Sequence, residues 1–172
     1  MTRATAAAVI LLVGLAGAIF FATRRQAAHK EAADPPAPAI NLTDLSGQPI
    51  NPANNEGKVV LVNFWAAWCT PCREEIPQFV ALQEKYRAQG FQIVGISMDD
   101  PEGTLREFSR EYKVNYPLVM GNQEIAEKFG GVLGLPTTFL IGRDGRIHAK
   151  QVGATDFPKL AQQISELLQA GR

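Results

Sequence analysis

Residues that bind metals and polyanions are scarce in this sequence. Its 172 residues include two cysteines, Cys69 and Cys72, and two histidines, His29 and His148. Structural zinc takes four ligands, and neither histidine stands at a ligand spacing from the cysteine pair. Basic and acidic residues number 17 each, so the net charge is zero and gives no sign of a nucleic-acid partner. We therefore predict no metal site, no cofactor and no nucleic-acid binding.

What the sequence does contain is a Cys-x-x-Cys motif between a predicted strand and a predicted helix. The run Val59–Trp65 has the length and the β-branched content of a buried strand. Apolar residues then recur at helical spacing from Ile76 onwards, and Pro71 suits the first turn of a helix. This arrangement places Cys69 at a helix N-terminus, where unpaired N–H groups and the helix dipole favour the reactive thiolate.

The spacing predicts a role for each sulfur atom. Cys69, at the mouth of the helix, is expected to be the attacking nucleophile. Cys72, one turn further on, is expected to close a disulfide with Cys69 and release a bound substrate sulfur. A metal site and an inert structural disulfide are the alternatives for this pair. A four-residue ring restrains the unfolded chain little, which favours a redox-active disulfide over a structural one.

The N-terminal part of the chain is predicted to lie outside the fold. Residues 4–22 form a charge-free apolar run, and about twenty such residues cross a bilayer. We predict a transmembrane anchor or uncleaved signal at residues 1–22, with a cleaved signal peptide as the alternative. Residues 23–39, rich in Ala and Pro, are predicted to form a tether, and residues 40–172 the folded domain.

Two observations disagree on the orientation of this predicted span. Arg24 and Arg25 follow it and only Arg3 precedes it, which favours a cytoplasmic domain by the positive-inside rule. A redox pair, an apolar span and a Pro-rich tether together favour a domain held outside the cytoplasmic membrane. We predict the second arrangement, with a single N-terminal span and the domain on the periplasmic side.

Beyond the tether, strand patterns alternate with helix patterns. The predicted elements are a hairpin around residues 46–48, strands near residues 59–65, 91–97 and 116–119, helices near residues 71–89, 101–112 and 122–129, a hairpin around residues 143–145 and a last helix from Phe157. Strands that alternate with helices and end in a hairpin predict an α/β sandwich with a central mixed sheet.

Two stretches resemble motifs of the thioredoxin superfamily. Residues 62–72 resemble its active-site signature, and residues 134–139 resemble its cis-proline loop. Within the superfamily the chain is most similar to the membrane-anchored TlpA/ResA-like oxidoreductases. It shares their Cys-x-Pro-Cys-x-x-Glu-x-Pro run, a hairpin before the core and a helix and strand inserted at residues 101–119. The resemblance covers about residues 40–170 and implies a thioredoxin-like α/β fold. Asn63 departs from it, because cytosolic thioredoxins carry a buried aspartate there.

The same resemblance implies which residues bind substrate. A cis peptide bond is expected before Pro136, facing the two cysteines. Leu135, Pro136 and Thr137 are then expected to present their backbone to a substrate polypeptide. Trp68, adjacent to Cys69, is expected to touch substrates as well.

Glu75 is the third predicted catalytic residue, after the two cysteines. It lies one helical turn beyond Cys72, so its side chain is able to point back beneath the disulfide. A partly buried carboxylate with a raised pKa could exchange the proton that Cys72 must lose before it attacks. The alternative is an exposed helix acid beside Arg73 and Glu74.

These features together predict an enzyme, a thiol-disulfide oxidoreductase. The family resemblance implies a reductant of protein disulfides, such as those at the haem-attachment sites of c-type apocytochromes, that receives electrons from a membrane thiol donor. One alternative is a peroxiredoxin-like peroxidase, which is expected to carry Thr three residues before its reactive Cys, where this chain has Ala66. The other is a thiol-based metallochaperone, for which the further soft ligands Met98 and Met120 are poorly placed.

Overall fold

The computed structural model describes residues 34–54, 57–98 and 100–170. The predicted anchor at residues 1–22 and the first part of the predicted tether lie outside these residues. Within the described part of the chain, no helix combines the length and the apolar character needed to cross a membrane. From Pro35 onwards the chain forms one compact unit.

Seven strands and four α-helices build the described part of this unit. In chain order they are β1 (Leu42–Thr43), β2 (Pro49–Ile50), β3 (Val59–Trp65), α1 (Thr70–Tyr86), a 3₁₀ turn (Arg87–Gln89), β4 (Phe91–Ser97), α2 (Glu102–Glu111), β5 (Leu118–Met120), α3 (Gln123–Lys128), β6 (Thr137–Ile141), β7 (Ile147–Val152) and α4 (Phe157–Ala170). Strands β1 and β2 form a separate antiparallel hairpin, and the other five form one sheet in the order β5-β4-β3-β6-β7.

Strand β3 is the centre of the sheet and is buried on both faces. All seven of its residues are buried, which explains its continuous apolar sequence. Alternate side chains point to opposite faces, so Leu61 and Trp65 enter a core with α1 and α4. Val62 and Phe64 enter a second core on the other face. The sheet is therefore covered on both sides, as the predicted sandwich requires.

The strand directions collect several loops at one end of the sheet. β3, β4 and β5 run parallel, so their carboxyl ends lie together. β6 runs antiparallel to β3, and Thr137 at its start pairs with Phe64 near the end of β3. Val152, at the end of β7, pairs with Thr137 from the other side. We call this edge, with the loops that follow β3, β4, β5 and β7 and the loop that precedes β6, the disulfide end. The opposite edge is the far end.

The hairpin, the inserted helix and strand and the mixed sheet agree with the sequence predictions. The predicted tether needs a correction at its C-terminal end. Pro36 bridges to Arg146, and the Ile147 amide donates to the Pro35 carbonyl at 2.8 Å. Ala37 is buried, and its amide donates to the Gly145 carbonyl at 2.9 Å. Proline carbonyls still accept hydrogen bonds, so this Pro-rich segment lies along the β6–β7 turn instead of remaining free.

Candidate active site

The two cysteines form a disulfide at the N-terminus of α1, as the motif predicts. Cys69 and Cys72 are joined by a disulfide, with their Cα atoms 5.3 Å apart. Cys69 is the N-cap residue of α1, and its Sγ accepts a hydrogen bond from the Cys72 amide at 3.4 Å. The Cys69 amide donates to the Ala66 carbonyl at 3.1 Å, which closes a turn in front of the helix. The helix N-terminus thus provides N–H donors for negative charge on the first sulfur.

The two sulfur-bearing residues differ in their access to solvent. Cys69 is 6% exposed and Cys72 is 1% exposed, so both are largely covered. The small opening lies over Cys69, which agrees with its predicted role as the attacking residue. Cys72 is the more completely covered of the two, which suits the role of a resolving thiol.

Glu75 is buried, and its surroundings favour its neutral form. It is 5% exposed, and its Oε1 accepts a hydrogen bond at 2.5 Å from the amide of Thr155, in the loop between β7 and α4. Burial raises the pKa of the Glu75 carboxyl, although the amide and hydroxyl of Thr155 beside it oppose that rise. Among the described residues, no partner hydrogen-bonds to Oε2. The alternative of an exposed helix acid is therefore wrong.

The loop before β6 has the predicted cis bond, between Leu135 and Pro136. Leu135 is half-buried and packs against both cores, and Pro136 is buried. Thr137 is fully buried, and its hydroxyl donates to the Gly134 carbonyl at 2.6 Å. Its side chain therefore shapes the loop and does not face a substrate. Trp68 is 66% exposed, so it is the predicted substrate-binding residue whose side chain is most available.

Asn63, the departure from the cytosolic thioredoxin pattern, is satisfied by a neighbour in the sheet. It is 3% exposed, and its side-chain amide donates to the Thr138 hydroxyl at 3.0 Å. The two residues are directly opposite each other in β3 and β6. This pair carries no charge. Among the described residues, the buried carboxylates are those of Glu75 and Asp100.

Comparison with known proteins identifies the family. A model of the AhpC/TSA family matches residues 33–150, more than half of the chain. The chain belongs to the AhpC/TSA family. It is 31% identical over 162 residues to the thiol-disulfide oxidoreductase ResA of Bacillus cereus, a match that covers 92% of this chain and 94% of that protein. The ResA protein of Bacillus subtilis is 31% identical over 135 residues, which cover 78% of this chain and 75% of that protein.

Solved structures of the same type superpose well on this AhpC/TSA protein. A thiol:disulfide interchange protein of the thioredoxin family from Chlorobium tepidum has a TM-score of 0.73 and 31% identity, covering 80% of this chain and 99% of that one. The thioredoxin domain of a thiol-disulfide oxidoreductase from Bacteroides vulgatus has a TM-score of 0.68 and 29% identity. The match covers 77% of this chain and 95% of that one. The predicted thioredoxin-like fold and the ResA-like resemblance are confirmed. With its Cys69–Cys72 pair, this protein is a thiol-disulfide oxidoreductase.

Sequence reasoning missed one acid beside the active-site loop of this AhpC/TSA protein. Asp100, in the loop after β4, is 6% exposed, and its Oδ2 accepts a hydrogen bond from the Ala67 amide at 2.7 Å. The hydroxyl of Ser97 donates to the same oxygen. A signal for it does exist in the sequence, since an acid that follows a buried strand parallel to β3 lies at the same sheet edge as the cysteines.

The site has the chemistry of thiols and carboxylates. In the described segments, no three His, Cys, Asp or Glu side chains group in a way that could hold a metal ion. A disulfide at a helix N-terminus, a buried carboxyl one turn further on and an exposed tryptophan at the mouth form an arrangement suited to thiol-disulfide exchange.

Proposed function

We propose that this chain reduces disulfides in protein substrates. The position of the disulfide, at a helix N-terminus and amid the loops of the disulfide end, supports thiol-disulfide exchange that starts at Cys69. The direction of the exchange, reduction of the substrate, rests on the TlpA/ResA-like resemblance. Helix N-termini stabilise thiolates, and Cys69 is the less covered of the two cysteines.

The exchange takes place in two balanced steps. In the reduced enzyme, the Cys69 thiolate attacks one sulfur of a substrate disulfide, forming a mixed disulfide and expelling the other substrate sulfur as a thiolate. The Cys72 thiolate then attacks Cys69 Sγ, re-forms the Cys69–Cys72 disulfide and releases the second substrate thiolate. Two electrons have passed to the substrate, and a thiol donor of the membrane returns the enzyme to its reduced form.

Glu75 serves the second step by accepting the proton of Cys72. The Cys72 thiol is fully covered, so water does not take its proton directly. Glu75 follows Cys72 by one helical turn and is buried with it, and the raised pKa of its carboxyl brings it closer to that of a thiol. The Thr155 amide holds Oε1, which leaves Oε2 to take the proton.

Side chains around the disulfide suit an apolar polypeptide substrate. The large apolar side chains that are exposed in the described chain all belong to the disulfide end, namely Trp68, Met120, Leu133 and Val152. Met120 ends β5 and Val152 ends β7, so four strand spacings, roughly 19 Å, separate them. An extended segment of about six residues crosses that width at roughly 3.3 Å per residue. Such a segment would place its own cysteine over Cys69.

The location and the substrate class are further parts of the proposal. The apolar run at residues 4–22 supports an N-terminal membrane anchor, and so does the resemblance to the membrane-anchored TlpA/ResA-like oxidoreductases. The domain then acts on the extracytoplasmic side, in the periplasm. The haem-attachment cysteines of c-type apocytochromes are the substrates that the TlpA/ResA-like resemblance favours, because their disulfide must be reduced before haem is attached.

A trapping experiment tests the reaction and its substrate. Cys72→Ala removes the resolving thiol and leaves the attack by Cys69, so substrates should remain linked to Cys69. Disulfide-linked partners are isolated from membranes without reductant and identified by mass spectrometry, with Cys69→Ala as the matched control. Partners on Cys72→Ala alone support the proposal, and apocytochromes among them support the substrate class. Trapping by Cys69→Ala instead would reverse the assigned order of attack.

A reporter fusion tests the location separately. Alkaline phosphatase fused after residue 33, ahead of the segment paired to the domain, folds to its active form only outside the cytoplasm. An active fusion supports the periplasmic placement. An inactive one would mean that Arg24 and Arg25 set the orientation.

A further inference from the structure

Asp100 is a buried carboxylate with hydrogen bonds but no part in the exchange chemistry. It is 6% exposed, and both of its described hydrogen bonds end on Oδ2, one from the Ala67 amide at 2.7 Å and one from the Ser97 hydroxyl. It does not cap the helix that follows, because Pro101 is the N-cap residue of α2 and, among the described residues, no side chain caps that helix. Burying an ionisable side chain costs free energy, so the burial of Asp100 beside these partners needs an explanation.

The Ala67 contact reaches the turn that carries the attacking sulfur. Ala67 lies within the turn from Ala66 to Cys69, which is closed by the 3.1 Å bond between the Cys69 amide and the Ala66 carbonyl. Asp100 comes from a different strand connection, so its carboxylate ties this turn to the end of β4. A neighbouring backbone bond, from the Met98 amide to the Trp65 carbonyl at 2.8 Å, fixes the other side of the same connection.

We propose that Asp100 is a positioning residue for Cys69. Its carboxylate fixes the Ala67 amide and so keeps the Cys69 sulfur at the N-cap of α1 after the disulfide opens. The attack then starts from one sulfur position, over the helix N–H groups. The inference rests on the proposed function for its meaning in catalysis, but the contact and its effect on the sulfur are measurable without a protein substrate.

Three substitutions separate the hydrogen bond from the charge. Asp100→Ala removes both. Asp100→Asn removes the charge and keeps an oxygen that accepts from Ala67 and Ser97. Asp100→Glu keeps the charge and displaces the carboxylate by one methylene. Ser97→Ala is the matched control, because it removes the second partner of Asp100 and leaves the Ala67 contact in place.

The reduced full-length variants are alkylated with iodoacetamide across pH, and modification of Cys69 is followed by mass spectrometry. We expect the pH midpoint of Cys69 alkylation to rise by about half a unit in Asp100→Ala and Asp100→Glu, because the sulfur leaves the helix N–H groups. Ser97→Ala should keep the wild-type midpoint. Asp100→Asn should not raise it, because this variant keeps the acceptor and removes a negative charge that disfavours the thiolate. Reduction of a protein disulfide should slow about tenfold in Asp100→Ala and Asp100→Glu and in neither of the other variants. Circular dichroism of each variant checks that it is folded.

The outcomes distinguish this inference from the proposed function. A wild-type midpoint in Asp100→Glu, or a shift in Asp100→Asn equal to that in Asp100→Glu, would overturn the positioning role. If Asp100→Ala does not fold, the comparison of Asp100→Glu with Asp100→Asn still decides. If the wild-type protein reduces no protein disulfide, the proposed function fails while the alkylation midpoints still report on Asp100.

Discussion

The two ends of the central sheet distribute charge and apolar surface in opposite ways. At the disulfide end the carboxylates of Glu75 and Asp100 are buried, and the large apolar side chains are exposed, Leu133 at 98%. At the far end the turn between β6 and β7 carries charged side chains that are at least partly exposed, although the Nε of Arg143 is buried. There Asp144 pairs with His148 at 3.0 Å, with 48% and 30% of these side chains exposed.

This difference indicates that the disulfide end has a role beyond stabilising the fold. Folding alone favours buried apolar side chains and solvated charges, which is the pattern of the far end. At the disulfide end, the loops after β3 and β5 and before β6 hold no charged residue, in a chain that is 20% charged. The loop after β4 holds Asp99 and Asp100, and the loop after β7 is uncharged until Asp156. A surface with this composition suits contact with another polypeptide. Both buried carboxylates at this end also accept hydrogen bonds from loop amides, those of Ala67 and Thr155.

The largest expected effect follows from neutralising Glu75, one of the two buried carboxylates. Glu75→Gln keeps the shape and the acceptor for the Thr155 amide but accepts no proton. Resolution of the mixed disulfide should slow by roughly 10²-fold, as is typical when a general base is lost. Attack by Cys69 should be unchanged. Stopped-flow measurement of the mixed-disulfide lifetime tests this, with the exposed neighbour Glu74→Gln as control. Equal lifetimes in both variants would remove Glu75 from the chemistry.

The same variant also gives a stability test with a defined sign. Because burial raises the pKa of Glu75 in the folded state, its neutral form contributes stability that is present below the ordinary value of 4.5. That stability is lost as the pH rises through the raised pKa. The wild-type protein should therefore lose stability relative to Glu75→Gln as the pH increases above 4.5, as measured by urea unfolding at several pH values.

A smaller effect is expected from placing a charge on the apolar surface of the disulfide end. Leu133→Asp changes a side chain that is 98% exposed, so the fold should be unaffected. The KM for a polypeptide disulfide with apolar flanking residues should rise about tenfold, which corresponds to about 1.4 kcal/mol of lost contact. Rates with oxidised glutathione should be unchanged. Leu133→Met, which keeps the apolar area, is the matched control, and an identical KM in both variants would argue against apolar docking.

The smallest effect is expected at the far end. Burial alone would raise the pKa of Asp144, but hydrogen bonds from the His148 ring and the Arg146 amide outweigh it, so the pKa lies below its usual range. The ionised Asp144 therefore stabilises the folded state. That contribution is fully present above the ordinary pKa of 3.8 and is lost as the pH falls through the lowered pKa. Asp144→Asn should cost at most about 1 kcal/mol at pH 7 and leave reductase activity unchanged. A drop in kcat/KM would mean that the two ends are functionally coupled.

Local sequence signals predicted the core of the site. The apolar strand, the helix start at Pro71 and the Cys-x-x-Cys spacing placed both sulfur atoms correctly, because each depends on neighbours along the chain. The cis bond before Pro136 was implied by the family resemblance and is confirmed.

The contacts that complete the site could not be predicted from the sequence, because they join segments that are far apart along the chain. Asp100 and Ala67 are 33 residues apart, and Glu75 and Thr155 are 80 residues apart. Sequence pattern indicates neither pairing, although the position of Asp100 after a buried parallel strand does indicate the edge of the sheet at which it lies. The inward turn of the Thr137 side chain also follows from the shape of its loop, where Gly134 offers a carbonyl at 2.6 Å.

The bridge between Pro36 and Arg146 determines the end of the domain to which anything attached through the N-terminal segment is joined. The chain enters the domain at the far end, about 20 Å from the disulfide along the seven residues of β3. A bead, an electrode or a fused protein joined ahead of Pro35 is therefore connected to the face that carries the solvated charges. The disulfide lies at the opposite end of the sheet, so partners arriving from solution meet it without first passing the point of attachment.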